Sequence, residues 1–158
     1  MEILITGDFC PINRFTKAIK SPEFVKEVRT LTTGVDYAIT NLECPLTANK
    51  TPIKKTGPAI KSDIEHAKSL EILGFNVVTL ANNHIMDYGA QGYQDTLSVL
   101  ESRSIIHVGA GNVSENNDVI YLNKDNFIVA IVNFCENEWS TLVFDNICAN
   151  GFSEINAF

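Results

Sequence analysis

The sequence predicts one α/β domain over residues 1–158, a layered α/β sandwich with a mostly parallel first sheet and crossover helices. Short apolar runs alternate with segments of helical periodicity, and this alternation indicates parallel strands joined by right-handed crossovers. Polar residues follow three of these runs directly. The chain has 158 residues, of which 45% are hydrophobic and 20% are charged, and this composition suits a single core.

The first strand is expected at residues 3–6, an apolar run of the kind that is buried on both faces of a parallel sheet. It delivers Asp8 to its carboxyl end. A helix then begins after Ser21, which is a suitable N-cap, with Pro22 at the first helical position. Its apolar stripe is formed by three residues at helical spacing, Phe24, Val28 and Leu31.

The second strand is expected at residues 36–40, and it leads into Asn41 and Glu43. From residue 45 to residue 61 the composition shifts to Thr, Lys, Pro and Gly without periodicity, which predicts a long loop that is often functional. The loop holds the only basic cluster of the chain, which we interpret as solvated: Lys50, Lys54, Lys55 and Lys61.

A second long helix is expected from a capping box of Ser62 with Glu65 to a C-terminal glycine, Gly74. His66 lies in this helix and is expected to face solvent. The buried stripe of the helix consists of Ile64, Ala67, Leu70 and Leu73.

The third strand is expected at residues 76–80, before the polar turn 81–84, and the fourth at residues 105–108. Between them lies a helix whose apolar face is Tyr93, Leu97 and Leu100. His107 is interpreted as a packing residue of the fourth strand. A turn at 109–112 precedes two more strands, 119–122 and 127–134, joined by residues 123–126, whereas residues 135–158 show no sustained period.

The net charge and the cysteine pattern argue against nucleic-acid-binding, zinc-ribbon and disulfide-rich proteins. A net charge of −7 and a pI near 4.9 argue against a nucleic-acid partner. The four cysteines form no Cys-x-x-Cys pair, so reduced thiols are expected rather than a zinc ribbon or a disulfide framework. No signal peptide or membrane segment is visible, and a cytoplasmic location is therefore expected.

The polar residues after three predicted strands suggest a site for a divalent cation. They are Asp8, Glu43, and the group of Asn83, His84 and Asp87. In open α/β sheets ligands bind beyond the carboxyl ends of the strands, and carboxylate, amide and imidazole groups suit such an ion. Each motif alone is also compatible with an ordinary turn. Their common placement after strands favours the metal site.

Three motifs resemble the signature blocks of the bacterial capsule-synthesis (CapA, poly-γ-glutamate) family. They are residues 5–8 (ITGD), 41–47 (NLECPLT) and 80–89 (LANNHIMDYG), followed by Gly92, Thr96 and Leu97 and by the turn 109–111 (GAG). The resemblance implies a fold of the calcineurin-like metallophosphoesterase type, of which this chain holds the N-terminal half, with the second half truncated.

The resemblance also implies roles for individual residues. Asp8, Glu43 and Asn83 match metal ligands, and the implied cofactor is a divalent ion such as Mn, Zn, Fe or Mg. His84 matches the histidine that polarises a phosphoryl group or protonates a leaving oxygen. Asp87 would orient His84.

Three departures from the phosphoesterase pattern affect the expected site. Glu43 stands where those enzymes carry an aspartate, which keeps the charge but lengthens the side chain and so affects metal spacing. Cys10 stands where those enzymes carry a histidine, and we interpret it as a structural thiol rather than a soft metal ligand. The histidine motifs of the second half are absent, since the chain has only His66, His84 and His107.

Two functions are therefore expected. One is a metal-dependent hydrolase-like site that acts on an anionic polymer or a phosphoester. The other is a non-catalytic binding or assembly module that keeps the fold and at most a weak cation site. Half of a two-sheet domain should also leave apolar surface uncovered, which predicts either self-association or an altered C-terminal segment that covers the gap.

Overall fold

The computed structural model describes residues 1–112, 119–135 and 147–149, and its mixed α/β architecture confirms the predicted fold class. None of the helices in these ranges is both long and apolar enough to cross a membrane. The elements are β1 (Ile3–Phe9), α1 (Phe15–Ala18), α2 (Pro22–Thr32), β2 (Tyr37–Leu42), α3 (Lys68–Leu73), β3 (Val77–Thr79), α4 (Gly89–Ser102), β4 (Ile106–Val108), β5 (Ala110–Asn112), β6 (Val119–Lys124), β7 (Phe127–Val132) and β8 (Ile147–Ala149).

Strands β1 to β4 form a parallel sheet whose spatial order is the order of the chain. Crossovers of one hand between strands in this order place the intervening helices on one face of the sheet. Leu70 of α3 and Leu100 of α4 are buried there in the main core cluster. The opposite face is covered by the antiparallel hairpin β6–β7, whose Leu122 packs with Ile39 and Val77. The layers are consistent with a metallophosphoesterase-like α/β fold.

Strand register brings the predicted strand ends into one row. Asp8 pairs with Asn41, and Asn41 pairs with Thr79 on the next strand. The register of β1 against β2 shifts by one residue between Ile5 and Asp8, as at a β-bulge, because Ile5 pairs with Ile39 and Asp8 pairs with Asn41. The polar residues that follow these strands therefore share one edge of the sheet.

The expectation that β1 is buried on both faces is wrong. In the described chain β1 is the edge strand, paired only with β2, and the side chain of Ile5 is 70% exposed. Leu4 packs on the helix side and Ile3 on the hairpin side, but the hairpin does not extend over Ile5. An apolar run predicts that a strand is buried. The exposed fraction of its side chains, however, also depends on how many strands and layers lie next to it.

Helix α2 begins as predicted, and two of the three residues of its predicted apolar stripe, Phe24 and Val28, pack against the core. Ser21 Oγ accepts a hydrogen bond from the Phe24 N–H at 3.4 Å, and Pro22 is the first helical residue. Leu31 is exposed, whereas Val25 packs against the core beside Phe24 and Val28.

The predicted capping box at Ser62 does not form. Ser62 is buried, and its Oγ donates to the Pro11 carbonyl and lies 2.7 Å from His66 Nδ1. The segment begins as a 3₁₀ turn at Ile64 and continues as α3, which ends at Gly74 in the left-handed conformation, as predicted. His66 is consequently half-buried, so the expectation that it faces solvent is wrong.

Residues 110–112 form β5, which pairs with β8, so the turn predicted at 109–112 is confined to its start at Gly109. The hairpin predicted at 119–134 is confirmed, with a tight turn in which Asp125 has a positive φ. Its outward face exposes Tyr121, Ile128 and Val132. Apart from Cys135 and β8, the segment expected to lack periodicity (135–158) lies outside the described residues.

His107 lies half-buried in β4, and burial lowers its pKa from the usual 6.5, partly opposed by Glu101. The unfolded chain therefore binds a proton more readily than the native protein, and stability should be lost as the pH falls below about 6.5. We expect the free energy of unfolding to decrease less between pH 7.5 and pH 5.5 for His107→Gln than for the wild type, measured by urea denaturation. Equal decreases in both proteins would contradict this assignment.

Candidate functional site

A chain of side-chain hydrogen bonds crosses the carboxyl end of the parallel sheet. Asn41 Nδ2 donates to Asp8 Oδ1 at 2.7 Å. Asn41 Oδ1 accepts from Thr79 Oγ1 and from Asn82 Nδ2, each at 3.3 Å. Because the amide uses its donor toward Asp8 and its acceptor toward the neighbouring strand, its orientation is fixed. Asp8 is exposed, so solvent or a ligand can reach its carboxylate.

Asn82 organises the turn that follows β3. Its Oδ1 accepts hydrogen bonds from the backbone N–H groups of His84 and Ile85, both at 2.9 Å, and its Nδ2 donates to the Leu42 carbonyl at 2.9 Å. The side chain thereby fixes the backbone at His84 to the end of β2. In the sequence Asn82 belongs to the polar turn 81–84, and the capacity of an Asn side chain for local hydrogen bonds is the signal for this role.

His84 and Asp87 form a close pair. His84 Nδ1 lies 2.7 Å from Asp87 Oδ2, and the Asp87 side chain is completely buried. A carboxylate oxygen can only accept, so Nδ1 donates in this contact and Nε2 is the ring nitrogen that is left for another partner. This is the contact that an orienting role for Asp87 requires.

Glu43 and Asn83 lie at the same end of the sheet. The Glu43 N–H donates to the Phe9 carbonyl at 3.1 Å and so continues the pairing of β1 with β2. The Asn83 carbonyl accepts from Lys55 Nζ at 3.0 Å. Both residues are half-buried.

The fit of these residues to a metal ion is partial. Asp8 lies near the end of β1 and Glu43 directly follows the adjacent β2, and carboxylate oxygens suit Mg²⁺ or Mn²⁺. Among residues 1–112, 119–135 and 147–149, no group of three or more His, Cys, Asp or Glu side chains is arranged to hold a metal ion. Within the described ranges the carboxylates of Asp8 and Glu43 therefore lie at one edge of the sheet, without a third such ligand beside them.

Cys10 directly follows β1 and interacts with Cys44, which follows β2. The hydrogen bond with Cys10 raises the pKa of the Cys44 thiol, and burial raises it further. With no metal bound, Cys44 is therefore a protonated thiol at neutral pH. The pair has the character of packed thiols.

The loop that follows β2 is only partly solvated. Lys50 and Lys54 are exposed as predicted, but the Lys55 side chain is only 6% exposed and lies 2.6 Å from Asp87 Oδ1. Lys61 Nζ donates to the Thr47 carbonyl at 2.9 Å and lies 5.4 Å from the centre of the Tyr88 ring. The solvated interpretation is wrong for Lys55 and Lys61, because sequence composition does not distinguish them from their neighbours.

Gly92, in the first turn of α4, leaves no room for a side chain. A Cβ at this position would lie 2.7 Å from Tyr88 Cβ and 3.6 Å from Pro45 Cβ. One turn later, Thr96 Oγ1 accepts the Leu46 N–H at 2.9 Å. These residues of the third motif and its following helix therefore hold the start of the loop against α4.

Comparisons with known proteins identify the family. The model of the bacterial capsule synthesis protein PGA_cap matches residues 2–151. The capsule biosynthesis protein CapA of Bacillus anthracis is 34% identical over 105 residues, which are 64% of this chain and 26% of that protein. The PGA biosynthesis protein CapA of Bacillus subtilis (strain 168) is 33% identical over 121 residues, 75% of this chain and 29% of that protein.

A probable polyglutamine synthesis accessory protein of Mycobacterium tuberculosis is 35% identical over 79 residues, which are 50% of this chain and 21% of that protein. The aligned parts thus span less than a third of the length of each of these relatives. The family model, in contrast, matches nearly all of the chain. The chain belongs to the bacterial capsule synthesis protein PGA_cap family.

Proposed function

We propose that the chain carries part of a metal-dependent, phosphoesterase-like hydrolase site that serves capsule or poly-γ-glutamate biosynthesis. The observation that carries this proposal is the convergence of Asp8, Glu43 and the His84–Asp87 pair at one end of a parallel sheet. The names of the Bacillus relatives refer to capsule and PGA biosynthesis, which supports the biological context.

Asp8, Glu43 and Asn83 would hold the divalent ion, which is Mn, Zn, Fe or Mg. When bound, such an ion neutralises negative charge that develops on a phosphoryl or tetrahedral centre. His84 would exchange a proton with the substrate through Nε2, because Nδ1 is engaged by Asp87. The substrate class that follows is an anionic polymer or a phosphoester.

The second candidate is a non-catalytic binding or assembly module. It is favoured by the lack of a group of three metal-binding side chains among the described residues. The apolar outward face of β6–β7 would then serve self-association, which light scattering of the purified chain can detect.

Titration of the metal-free chain with Mn²⁺ and Zn²⁺ distinguishes the two candidates. We expect binding in the micromolar range, weakened at least about tenfold in an Asp8→Ala/Glu43→Ala double variant, because both carboxylates are lost. Isothermal titration calorimetry measures both affinities.

A Glu23→Ala/Glu27→Ala variant on the exposed surface of α2 is the matched control, since it removes the same charge away from the site. It should bind as the wild type does. Equal affinity in all three proteins would remove Asp8 and Glu43 from the site, and lack of binding by the wild type would favour the non-catalytic module.

A further inference from the structure

Lys55 is a buried lysine at the centre of the candidate site. Its ammonium group lies 2.6 Å from Asp87 Oδ1, donates to the Asn83 carbonyl at 3.0 Å and lies 3.4 Å from His84 Nδ1. A lysine is rarely buried unless its charge is paired. Here the pairing partner is a carboxylate that is itself fully buried.

The two oxygens of Asp87 are used by different partners. Oδ1 receives Lys55, while Oδ2 receives the His84 ring and the Ile60 N–H, the latter at 2.8 Å. The carboxylate plane is therefore fixed from both ends. Loss of Lys55 would leave Oδ1 without this donor and allow the carboxylate to turn, which would also move the hydrogen bond that orients His84.

Asp87 also ties down the loop from residue 48 to residue 61. The Ile53 N–H donates to the Asp87 carbonyl at 2.9 Å, and the Ile60 N–H donates to its side chain. Lys55 lies between Ile53 and Ile60 in the loop, and its ammonium group adds an ion pair with Asp87 to these two hydrogen bonds. Three contacts within eight residues of the loop therefore converge on one aspartate.

The buried ion pair of Lys55 with Asp87 is not expected to contribute much to the stability of the fold. Desolvation of two charges offsets most of their attraction, and a buried ion pair is often replaced by apolar residues without loss of stability. What the pair supplies is a defined geometry. A neutral aliphatic side chain at position 55 would fill the same space but would not hold the carboxylate.

We propose that Lys55 is a positioning residue of the candidate site, which fixes the Asp87 carboxylate for the His84 ring and fastens the loop 48–61 beside it. The importance of His84 in this statement rests on the proposed function. The fastening of the loop and the ordering of the ring are properties of the chain itself, and they are measurable without metal or substrate.

The test compares Lys55→Met with the neighbouring Lys54→Met in the 158-residue chain. Lys55→Met is expected to raise hydrogen exchange at the amides of Ile53 and Ile60 by at least about tenfold, because local opening becomes easier. The ring resonances of His84 should shift or broaden in NMR spectra, while those of His107 in β4 keep their wild-type positions. Lys54→Met should leave all of these unchanged.

Two results in a folded Lys55→Met protein would overturn the proposal. One is wild-type exchange at Ile53 and Ile60 together with wild-type His84 resonances. The other is an equal rise in exchange throughout the chain, β3 included, together with wild-type His84 resonances, since Lys55 would then stabilise the whole fold without positioning the ring.

If Lys55→Met does not fold, the Lys55→Met/Asp87→Asn double variant replaces it, because it leaves no buried charge unpaired. It should fold and show the same faster exchange at Ile60, and wild-type protection there would contradict the proposal. The metal titration fails or succeeds independently of these measurements. An error in the proposed function is therefore distinguishable from an error about Lys55.

Discussion

Replacing Asp87 with alanine is expected to lower the free energy of unfolding by about 3–5 kcal/mol, the cost of breaking a buried ion pair on one side. The substitution leaves the Lys55 ammonium buried without its carboxylate, and it removes the acceptor of the Ile60 N–H. It also removes the partner of the His84 ring. Urea denaturation followed by circular dichroism measures the change.

Asp63→Ala is the control for this experiment. Asp63 is exposed, and although it precedes a 3₁₀ turn its side chain makes no capping hydrogen bond. Its replacement should change stability by no more than about 0.5 kcal/mol. A similar small change for Asp87→Ala would show that the buried network does not stabilise the native state.

Gly109→Ala is expected to cost about 2–5 kcal/mol through backbone strain and the loss of buried hydrogen bonds. Gly109 has a φ of +105°, and a Cβ there would overlap Asn133 Oδ1 and lie 2.7 Å from the Ala81 nitrogen. That oxygen accepts the N–H groups of Leu80 at 3.1 Å and of Ala81 at 2.7 Å. The added methyl group would therefore disrupt the connection between the end of β3 and the residue that follows β7.

The Gly34→Ala variant measures the cost of backbone strain without the steric overlap that is expected at Gly109. Gly34 has a similar φ of +96°, but a Cβ there would have no heavy atom within 4 Å. Only the conformational cost of about 1–2 kcal/mol should remain. If the two variants lost equal stability in urea denaturation, Asn133 would contribute nothing to the effect of Gly109→Ala.

The parallel sheet was predictable because its signals are local. Apolar runs, the Ser21 cap with Pro22, and Gly74 after α3 each act through residues near in sequence, and the alternation of elements then restricts the topology. Asp8 and Glu43 were predictable at one edge of the sheet for the same reason, since the carboxyl ends of neighbouring parallel strands lie at the same edge. The common edge followed from topology alone.

What could not be predicted depends on contacts between distant segments. Lys55 and Asp87 are separated by 32 residues, and nothing near Lys55 distinguishes it from the exposed Lys54. Ser62 had the local pattern of a cap, but its hydroxyl bonds to Pro11, 51 residues away. The exposure of Ile5 likewise depends on how far another layer extends. Such features are set by packing, which a single sequence does not encode locally.

The order of the sheet also bears on how the chain acquires its structure during synthesis. Each strand pairs with the one made just before it, as Ile3 with Tyr37, Ile39 with Val77 and Val77 with Ile106. A ribosome delivers residues from the N-terminus, so every new strand of this sheet meets an edge that already exists. The loops to be closed are of similar, moderate length, which keeps the entropic cost of each step nearly constant. The sheet can therefore grow in one direction as translation proceeds, without waiting for a later strand to be inserted between two earlier ones.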